Sequence, residues 1–94
     1  MDKVEFAKAL ADETRQQIMK ICCCTHLSVN EIVAQTGVSQ PTVSHHLKVL
    51  RDAGLVQAER HGKEIFYSLN QEKMAENCCN VSSYFAPLIK VSKE

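Results

Sequence analysis

The chain has 94 residues with equal numbers of acidic and basic side chains, so its formal net charge is zero. This length is enough for one domain, and a hydrophobic fraction of 45% is that of a folded globular protein rather than a disordered one. The neutral balance argues against a nonspecific nucleic-acid binder, which would be basic overall. No apolar run approaches the roughly 18 residues of a membrane span, and the first residues lack a signal-peptide core, so we expect a cytoplasmic protein without a membrane partner.

Two helices are predicted before the first polar loop. The first spans residues 2–11, and the second runs from about residue 13 to residue 24 with Asp12 as its cap. Helical spacing places a few apolar residues of each helix on one side, which we expect to be buried. These residues are Phe6, Leu10, Ile18, Ile21 and Cys22.

A short helix, a glycine turn and a second helix are predicted from residue 28 to about residue 53. Ser28 and Glu31 have the spacing of a capping box, which starts a helix that ends near Gln35. Gly37 can adopt the positive φ of a tight turn, and Val38 fills the corner. This order of elements predicts a helix-turn-helix.

The second of these helices has the character of a recognition helix. Ser39 is expected to cap it with its hydroxyl, and Pro41 lies in the first turn, where a missing N–H costs little. One stripe is apolar and faces the domain, namely Val43, Leu47 and Leu50. His46 turns toward the core and is expected to pack or to bond a neighbouring helix. The other face is polar and cationic, and either lies in a DNA major groove or is an ordinary solvated face. Its candidate DNA-binding residues are Ser39, Gln40, Thr42, Ser44, His45 and Lys48.

A β-hairpin is predicted directly after the recognition helix, over about residues 55–69. Gly54 ends the helix as a left-handed cap, and the strands are residues 55–59 and 64–69. The turn between them, residues 60–63, carries two fixed cations. A hairpin in this place is a wing, whose tip lies beside the phosphate backbone or in the minor groove. Its candidate DNA-binding residues are Arg60, His61 and Lys63.

A last helix is predicted over about residues 70–89, with Asn70 as its N-cap. It carries a heptad-like apolar stripe that must be buried somewhere. The helix-turn-helix already uses its own core, so we expect a partner subunit to cover this stripe. The stripe consists of Met74, Cys78, Val81, Phe85 and Leu88.

The five cysteines occur as one run of three and one run of two, which is unlike a disulfide framework. Thiol chemistry or soft-metal ligation explains the pattern better, although Cys22 and Cys78 lie on apolar stripes and can be small buried hydrophobes. Trivalent arsenic or antimony takes three thiolates, whereas Hg, Cd, Zn or Cu(I) takes two to four soft ligands. His26 is either a further ligand or, as we favour, a solvated loop residue. The candidate metal ligands are Cys22, Cys23, Cys24, Cys78 and Cys79.

The strings LADETRQQIM and SVNEIVAQTGVSQPTVSHHLKVLRDAGLVQAERHGKEIFYSL resemble the ArsR/SmtB family of small winged-helix repressors over about residues 5–70. The resemblance implies a mainly α fold with a small β-hairpin, dimerisation through the first and last helices, and an inverted-repeat DNA operator. It also implies an inducer that releases the DNA: a metal ion, arsenite, a persulfide or an oxidant.

The usual inducer sites of that family are missing from this sequence. The Cys-x-Cys pair of the arsenite sensors falls on residues 28–30, which read Ser-Val-Asn, and residues 71–74 supply neither the Asp nor the His of the zinc sensors. A site would therefore have to combine the end of the second helix with the first half of the last helix.

Three functions remain open at this point. The first is a repressor released by a thiophilic metal or metalloid, with arsenite or antimonite foremost. The second is a repressor that senses redox state or persulfides, and the third is a DNA-binding module without a ligand. The run at residues 22–24 ends a helix, where the helix dipole disfavours a thiolate, and this favours a metal over a redox signal. An enzyme is not indicated, because neither a phosphate-binding glycine loop nor a catalytic triad stands out.

Overall fold

The computed structural model describes residues 1–88, over which the chain forms five helices and three strands. The helices are α1 (Lys3–Leu10), α2 (Glu13–Ile21), α3 (Val29–Thr36), α4 (Gln40–Asp52) and α5 (Gln71–Phe85). The strands are β1 (Leu27–Ser28), β2 (Val56–His61) and β3 (Glu64–Leu69), and they form an antiparallel sheet in the order β1-β3-β2. None of the helices in residues 1–88 is long and apolar enough to span a bilayer.

The helix starts follow local capping chemistry. Asp12 Oδ1 accepts the Arg15 N–H at 2.9 Å, and Asn70 caps α5 in the same way, as predicted. Ser28 and Glu31 form the predicted capping box, with bonds of 3.0 and 3.2 Å in the two directions. Each bond satisfies a backbone N–H that the helix itself leaves free.

The predicted cap at the start of α4 is wrong in one respect. Ser39 occupies the N-cap position, but its hydroxyl donates to the Thr42 hydroxyl at 3.0 Å and accepts no backbone N–H. The physical reason is Pro41, which stands second in the helix and lacks the N–H that an N-cap side chain commonly bonds.

The core lies between α1, α2, α3, α4 and the base of the wing. Val43, Leu47 and Leu50 are at most 1% exposed, which confirms the predicted stripe of α4. On α2 the prediction is partly wrong, because Ile21 is only half-buried and Met19 is buried in addition to Ile18. Leu10 of α1 is likewise half-buried, and Ala9 is buried beside Phe6.

Three predicted boundaries differ from the structure by two residues or more. Helix α2 ends at Ile21 with Cys22 as its C-cap, so the next two cysteines are not helical. Strand β2 continues to His61, which pairs with Glu64, and the turn is therefore only residues 62–63. Gly62 has a φ of +64°, which lets so short a turn close. Helix α5 ends at Phe85, and the remainder of the helix predicted to residue 89 partly lies outside the described residues.

Strand β1 was not predicted. Leu27 pairs with Tyr67 and Ser28 pairs with Phe66, so a two-residue strand joins the start of α3 to the middle strand of the sheet. The pairing fixes the base of the wing against the helix-turn-helix.

Candidate nucleic-acid interface and cysteine loop

Helix α4 exposes a polar face because its apolar stripe is buried in the core. All nine residues proposed from the sequence to contact DNA are exposed, on α4 and its N-cap, on the end of β2, or in the turn of the wing. Those on or before α4 are Ser39, Gln40, Thr42, Ser44, His45 and Lys48, and those of the wing are Arg60, His61 and Lys63. A helix of a size that fits a major groove therefore lies beside a hairpin whose tip exposes Arg60 and Lys63.

Two of these side chains are held by acidic neighbours. Lys48 Nζ lies 3.1 Å from Asp52 Oδ2, and both side chains are more than 60% exposed. His61 Nε2 lies 3.2 Å from Glu59 Oε1, and His26 Nε2 lies 4.0 Å from the other oxygen of the same carboxylate. The exposed Lys48–Asp52 ion pair contributes about 0–1 kcal/mol, so Lys48 remains available to another anionic partner. His26 is exposed in the loop before β1, as favoured from the sequence.

Two clefts flank the outer face of α4 and add residues that the sequence did not single out. The first, of about 390 Å³, lies between α4 and β3 and is lined in part by Lys48, Arg51 and Tyr67. The second, of about 220 Å³, lies between the starts of α3 and α4 and the wing, and includes Asn30 and Lys63. Arg51 follows Lys48 by three residues, a spacing that was readable from the sequence, whereas Tyr67 reaches α4 only through the fold.

His46 lies on the inner side of α4 and is 8% exposed. The Arg15 guanidinium donates to His46 Nδ1 at 3.1 Å, which leaves the ring proton on Nε2, facing Asp12 Oδ1 at 3.9 Å. The same guanidinium donates to the carbonyls of Ala9 at 2.8 Å and Lys8 at 3.0 Å. One side chain thus joins the end of α1, the start of α2 and the recognition helix, which confirms the helix-bonding role expected for His46.

The cysteine loop, residues 22–26, connects α2 to β1. Cys22 is buried in the core, and its carbonyl accepts the N–H of Leu69, the last residue of β3, at 2.9 Å. The carbonyl of Cys23 accepts a bond from the side-chain amide of Gln71 at the start of α5. Cys23 is half-buried and Cys24 is exposed, with their Sγ atoms 2.8 Å apart.

The pKa is raised for two thiols of this loop, those of Cys22 and Cys24. Burial, reinforced by the neighbouring Cys23, raises the pKa of Cys22 to about 11. The pKa of Cys24 is raised as well, first by its hydrogen bond with Cys23 and then by repulsion from the same group. A redox sensor needs a thiolate, whereas a soft metal displaces the proton as it binds.

The second cysteine run lies apart from the loop on α5. Cys78 is exposed and donates weakly to Met74 Sδ at 3.9 Å, and Cys79 is half-buried. Within residues 1–88 of one chain, no three His, Cys, Asp or Glu side chains are grouped so that they could hold a metal ion. The chain brings the start of α5 to the cysteine loop, but the contact is made by Gln71, two helical turns before Cys78.

The helix-turn-helix, the hairpin wing and the exposed cationic face together define a winged-helix protein of the DNA-binding class. A model of the arsR family of bacterial regulatory proteins matches residues 12–58, half of the chain. KmtR, an HTH-type transcriptional regulator of Mycobacterium tuberculosis, is 42% identical over 73 residues, which are 78% of this chain and 56% of that protein. The chain belongs to the ArsR/SmtB family, as its resemblance to that family implied.

Other relatives agree with this assignment. A probable mercury resistance operon repressor of Streptomyces lividans is 39% identical over 71 residues, 76% of this chain and 57% of that protein. The chain thus spans little more than half the length of these curated relatives. An ArsR-like transcriptional regulator from Rhodococcus superposes with a TM-score of 0.82 at 25% identity, over 89% of this chain and 77% of that one. The relatives are named as transcription regulators and not as enzymes.

Proposed function

We propose that this chain is a homodimeric transcriptional repressor that binds an inverted-repeat operator and is released by a thiophilic metal or metalloid. The observation that carries the proposal is the combination, in one chain, of an exposed recognition helix and wing with the half-buried thiol of Cys23 and the exposed thiol of Cys24 at the junction of α2, β3 and α5. The protein would act in the cytoplasm, where bacterial DNA is found.

The DNA contacts follow from the side chains on the exposed face. Gln40, Ser44 and His45 contact bases or nearby phosphates from the first half of α4, since they can both donate and accept hydrogen bonds. Lys48, Arg60 and Lys63 serve mainly the phosphate backbone, which fixes the register on the duplex. Ser39, Thr42 and His61 complete the interface at its edges.

Dimerisation is proposed from the apolar surface that one chain leaves open on α1 and α5. Phe85 is 75% exposed, Tyr84 is 64% exposed and Val4 of α1 is 63% exposed. Lys3 of α1 stacks its ammonium 4.3 Å above the Tyr84 ring, so the two helices form one continuous face. A soluble monomer of this size gains stability when a second copy buries such a face.

The inducer is proposed to be arsenite or antimonite, which takes three thiolates. Cys23 and Cys24 provide two, and Cys78 or Cys79 of either subunit provides the third. Cys22, the remaining candidate, is 0% exposed and reaches an ion only if the core opens. The name of the Streptomyces lividans relative supports a soft-metal inducer, and Hg, Cd, Zn and Cu(I) are the other ions to test.

Release requires that the inducer prefer the DNA-free state. Emptying a nearly full operator takes about 5.5 kcal/mol of preference, which several metal–thiolate bonds per dimer can provide. Since the loop bonds both the end of β3 and the start of α5, an ion bound there acts on the wing and on the proposed dimer helix.

The experiment measures release of a fluorescently labelled operator from the reduced protein. Fluorescence anisotropy monitors the release as each of a panel of thiophilic ions is added. Two variants serve as a matched pair, one with Cys23 and Cys24 changed to Ser and the other with Cys78 and Cys79 changed to Ser. Both should still bind and protect an inverted repeat, and neither should release it with arsenite. Release by a persulfide donor alone would instead assign the thiol-sensing function, and an absence of any release would assign a ligand-independent DNA-binding module.

A further inference from the structure

A cleft separates helix α1 from the second half of the recognition helix α4. Its volume is about 330 Å³, and its lining includes Lys8 and Ala9 of α1 and Val49 and Asp52 of α4. Arg15 of α2 also lines this cleft. Side chains that bridge the cleft therefore decide how firmly α4 is held relative to α1.

The Arg15 guanidinium bridges the two helices with all three of its nitrogens. Nε donates to the Ala9 carbonyl at 2.8 Å and Nη2 donates to the Lys8 carbonyl at 3.0 Å, so two bonds hold the last turn of α1. Nη1 donates at 3.1 Å to Nδ1 of His46, a residue of α4 that is 8% exposed. Because the guanidinium is planar and its donors have fixed directions, the position of His46 is tied to the end of α1.

Within residues 1–88, Arg15 is the one side chain with hydrogen bonds to both α1 and α4. The neighbouring Gln16 bonds the Leu10 carbonyl at the end of α1, at 2.6 Å, but makes no bond to α4. Helix α1 also carries part of the apolar face on which dimerisation is proposed, including the exposed Val4. Arg15 thus connects the proposed dimer face to the helix that is proposed to read DNA.

We propose that Arg15, acting through His46, is a positioning residue that holds the two recognition helices of a dimer at a fixed separation. This inference rests on the proposed function, because the separation matters only when two copies bind one operator. A dimer reads two half-sites about one turn of DNA apart, so the separation of its recognition helices selects the operator spacing.

The Arg15–His46 bond contributes to the penalty for a wrong spacing. DNA with displaced half-sites is bound by both recognition helices only if each α4 moves relative to α1, and that movement breaks the bond. A variant that lacks the bond has less to lose on such DNA. Its discrimination between the two spacings is therefore weaker, although the exposed face of α4 is unchanged.

The test compares affinities for two DNA duplexes. The first is an inverted repeat selected from a random-sequence library with the wild-type protein, and the second has two base pairs inserted between its half-sites. Fluorescence anisotropy gives both affinities, and their ratio measures spacing discrimination. His46→Leu removes the acceptor of Arg15, so the ratio should fall about tenfold, which corresponds to the lower limit for a hydrogen bond from a charged donor. His46→Gln supplies a carbonyl oxygen as acceptor and should keep most of the ratio.

Gln16→Ala is the matched control, because it removes a bond from α2 to the end of α1 without touching α4. Its ratio should equal that of the wild type. A purely structural role of His46 would weaken binding to both duplexes alike and leave the ratio unchanged. An unchanged ratio in His46→Leu, or an equal fall in Gln16→Ala or in His46→Gln, would overturn the positioning role.

A double-mutant cycle in urea unfolding distinguishes a failure of this inference from a failure of the proposed function. Arg15→Ala, His46→Leu and the double variant are compared at one protein concentration. The losses in free energy of unfolding should not add, since either change removes the same bond. Additive losses would overturn the link between the two helices, whatever the DNA result. Losses that do not add, together with a failure to select any inverted repeat, would support the link and refute the proposed function instead.

Discussion

Replacing Arg15 by Ala should cost the fold about 3 kcal/mol, because this side chain joins three helices. Its guanidinium makes two half-buried bonds, to the Ala9 carbonyl and to His46 Nδ1, and one exposed bond to the Lys8 carbonyl. Hydrogen bonds from a charged donor contribute about 1.5–3 kcal/mol each. Taking the lower value for the two half-buried bonds and nothing for the exposed one gives about 3 kcal/mol. Small domains are stable by only about 5–15 kcal/mol, so the loss is a large share of the total.

The assay is urea unfolding at a fixed protein concentration, since stability of an oligomer depends on concentration. Gln16→Ala is the matched control, because Gln16 makes one exposed bond from the same helix to the end of α1, at 2.6 Å to the Leu10 carbonyl. The control should lose less than about 1 kcal/mol. If Arg15→Ala loses no more than Gln16→Ala, the reasoning that the guanidinium links these helices is refuted.

Three further predictions concern the wing, the cap of α2 and the buried thiol. Lys63→Ala should lower the slope of log affinity against log salt by about 0.9 on every DNA sequence, as measured by fluorescence anisotropy. The control Lys20→Ala, on α2, should leave the slope unchanged. A changed base preference in Lys63→Ala would contradict the proposed phosphate contact of Lys63. The pKa of Asp12 is lowered, mainly because its carboxylate accepts the Arg15 N–H. The ionised carboxylate therefore stabilises the fold above the ordinary pKa of 3.8, and this stabilisation is lost as the pH falls through the lower folded-state pKa. The difference in free energy of unfolding between wild type and Asp12→Asn should therefore disappear in acid. A difference that persists in acid would exclude the charge of Asp12 as its cause. Cys22→Ser buries a hydroxyl in the apolar core, so its free energy of unfolding in urea should fall by about 1–3 kcal/mol. The loss should be larger than that of Cys22→Ala. The reverse order would show that the Cys22 thiol is not a core hydrophobe.

Local sequence signals were sufficient to predict most of the elements. The caps at Asp12 and Asn70, the Ser28 capping box and the positive φ of Gly37 each depend on residues within one turn of chain. The stripe of α4 is equally local, because the spacing of its apolar residues fixes which face is buried.

The features that sequence could not predict depend on contacts between distant segments. Strand β1 is two residues long and exists only because Tyr67 and Phe66 of β3 lie beside it. The bond between Arg15 and His46 spans 31 positions. The sequence showed where the cysteines are, but not that Cys22 ends α2, packs in the core and accepts a bond from Leu69. Of the run at residues 22–24, only Cys23 and Cys24 are therefore accessible.

The pairing of β1 with β3 has a consequence for how operator preference can change. Ser28 is both the strand residue opposite Phe66 and the N-cap of α3, so the wing cannot rotate without disturbing the start of the helix-turn-helix. The orientation of the hairpin is thus set at its base, and its tip bears no part of the core. Under the proposed function, substitutions at residues 60–63 would change contacts at the outer edges of the operator while α4 keeps its place. The central and the outer parts of the DNA sequence would then be free to diverge separately.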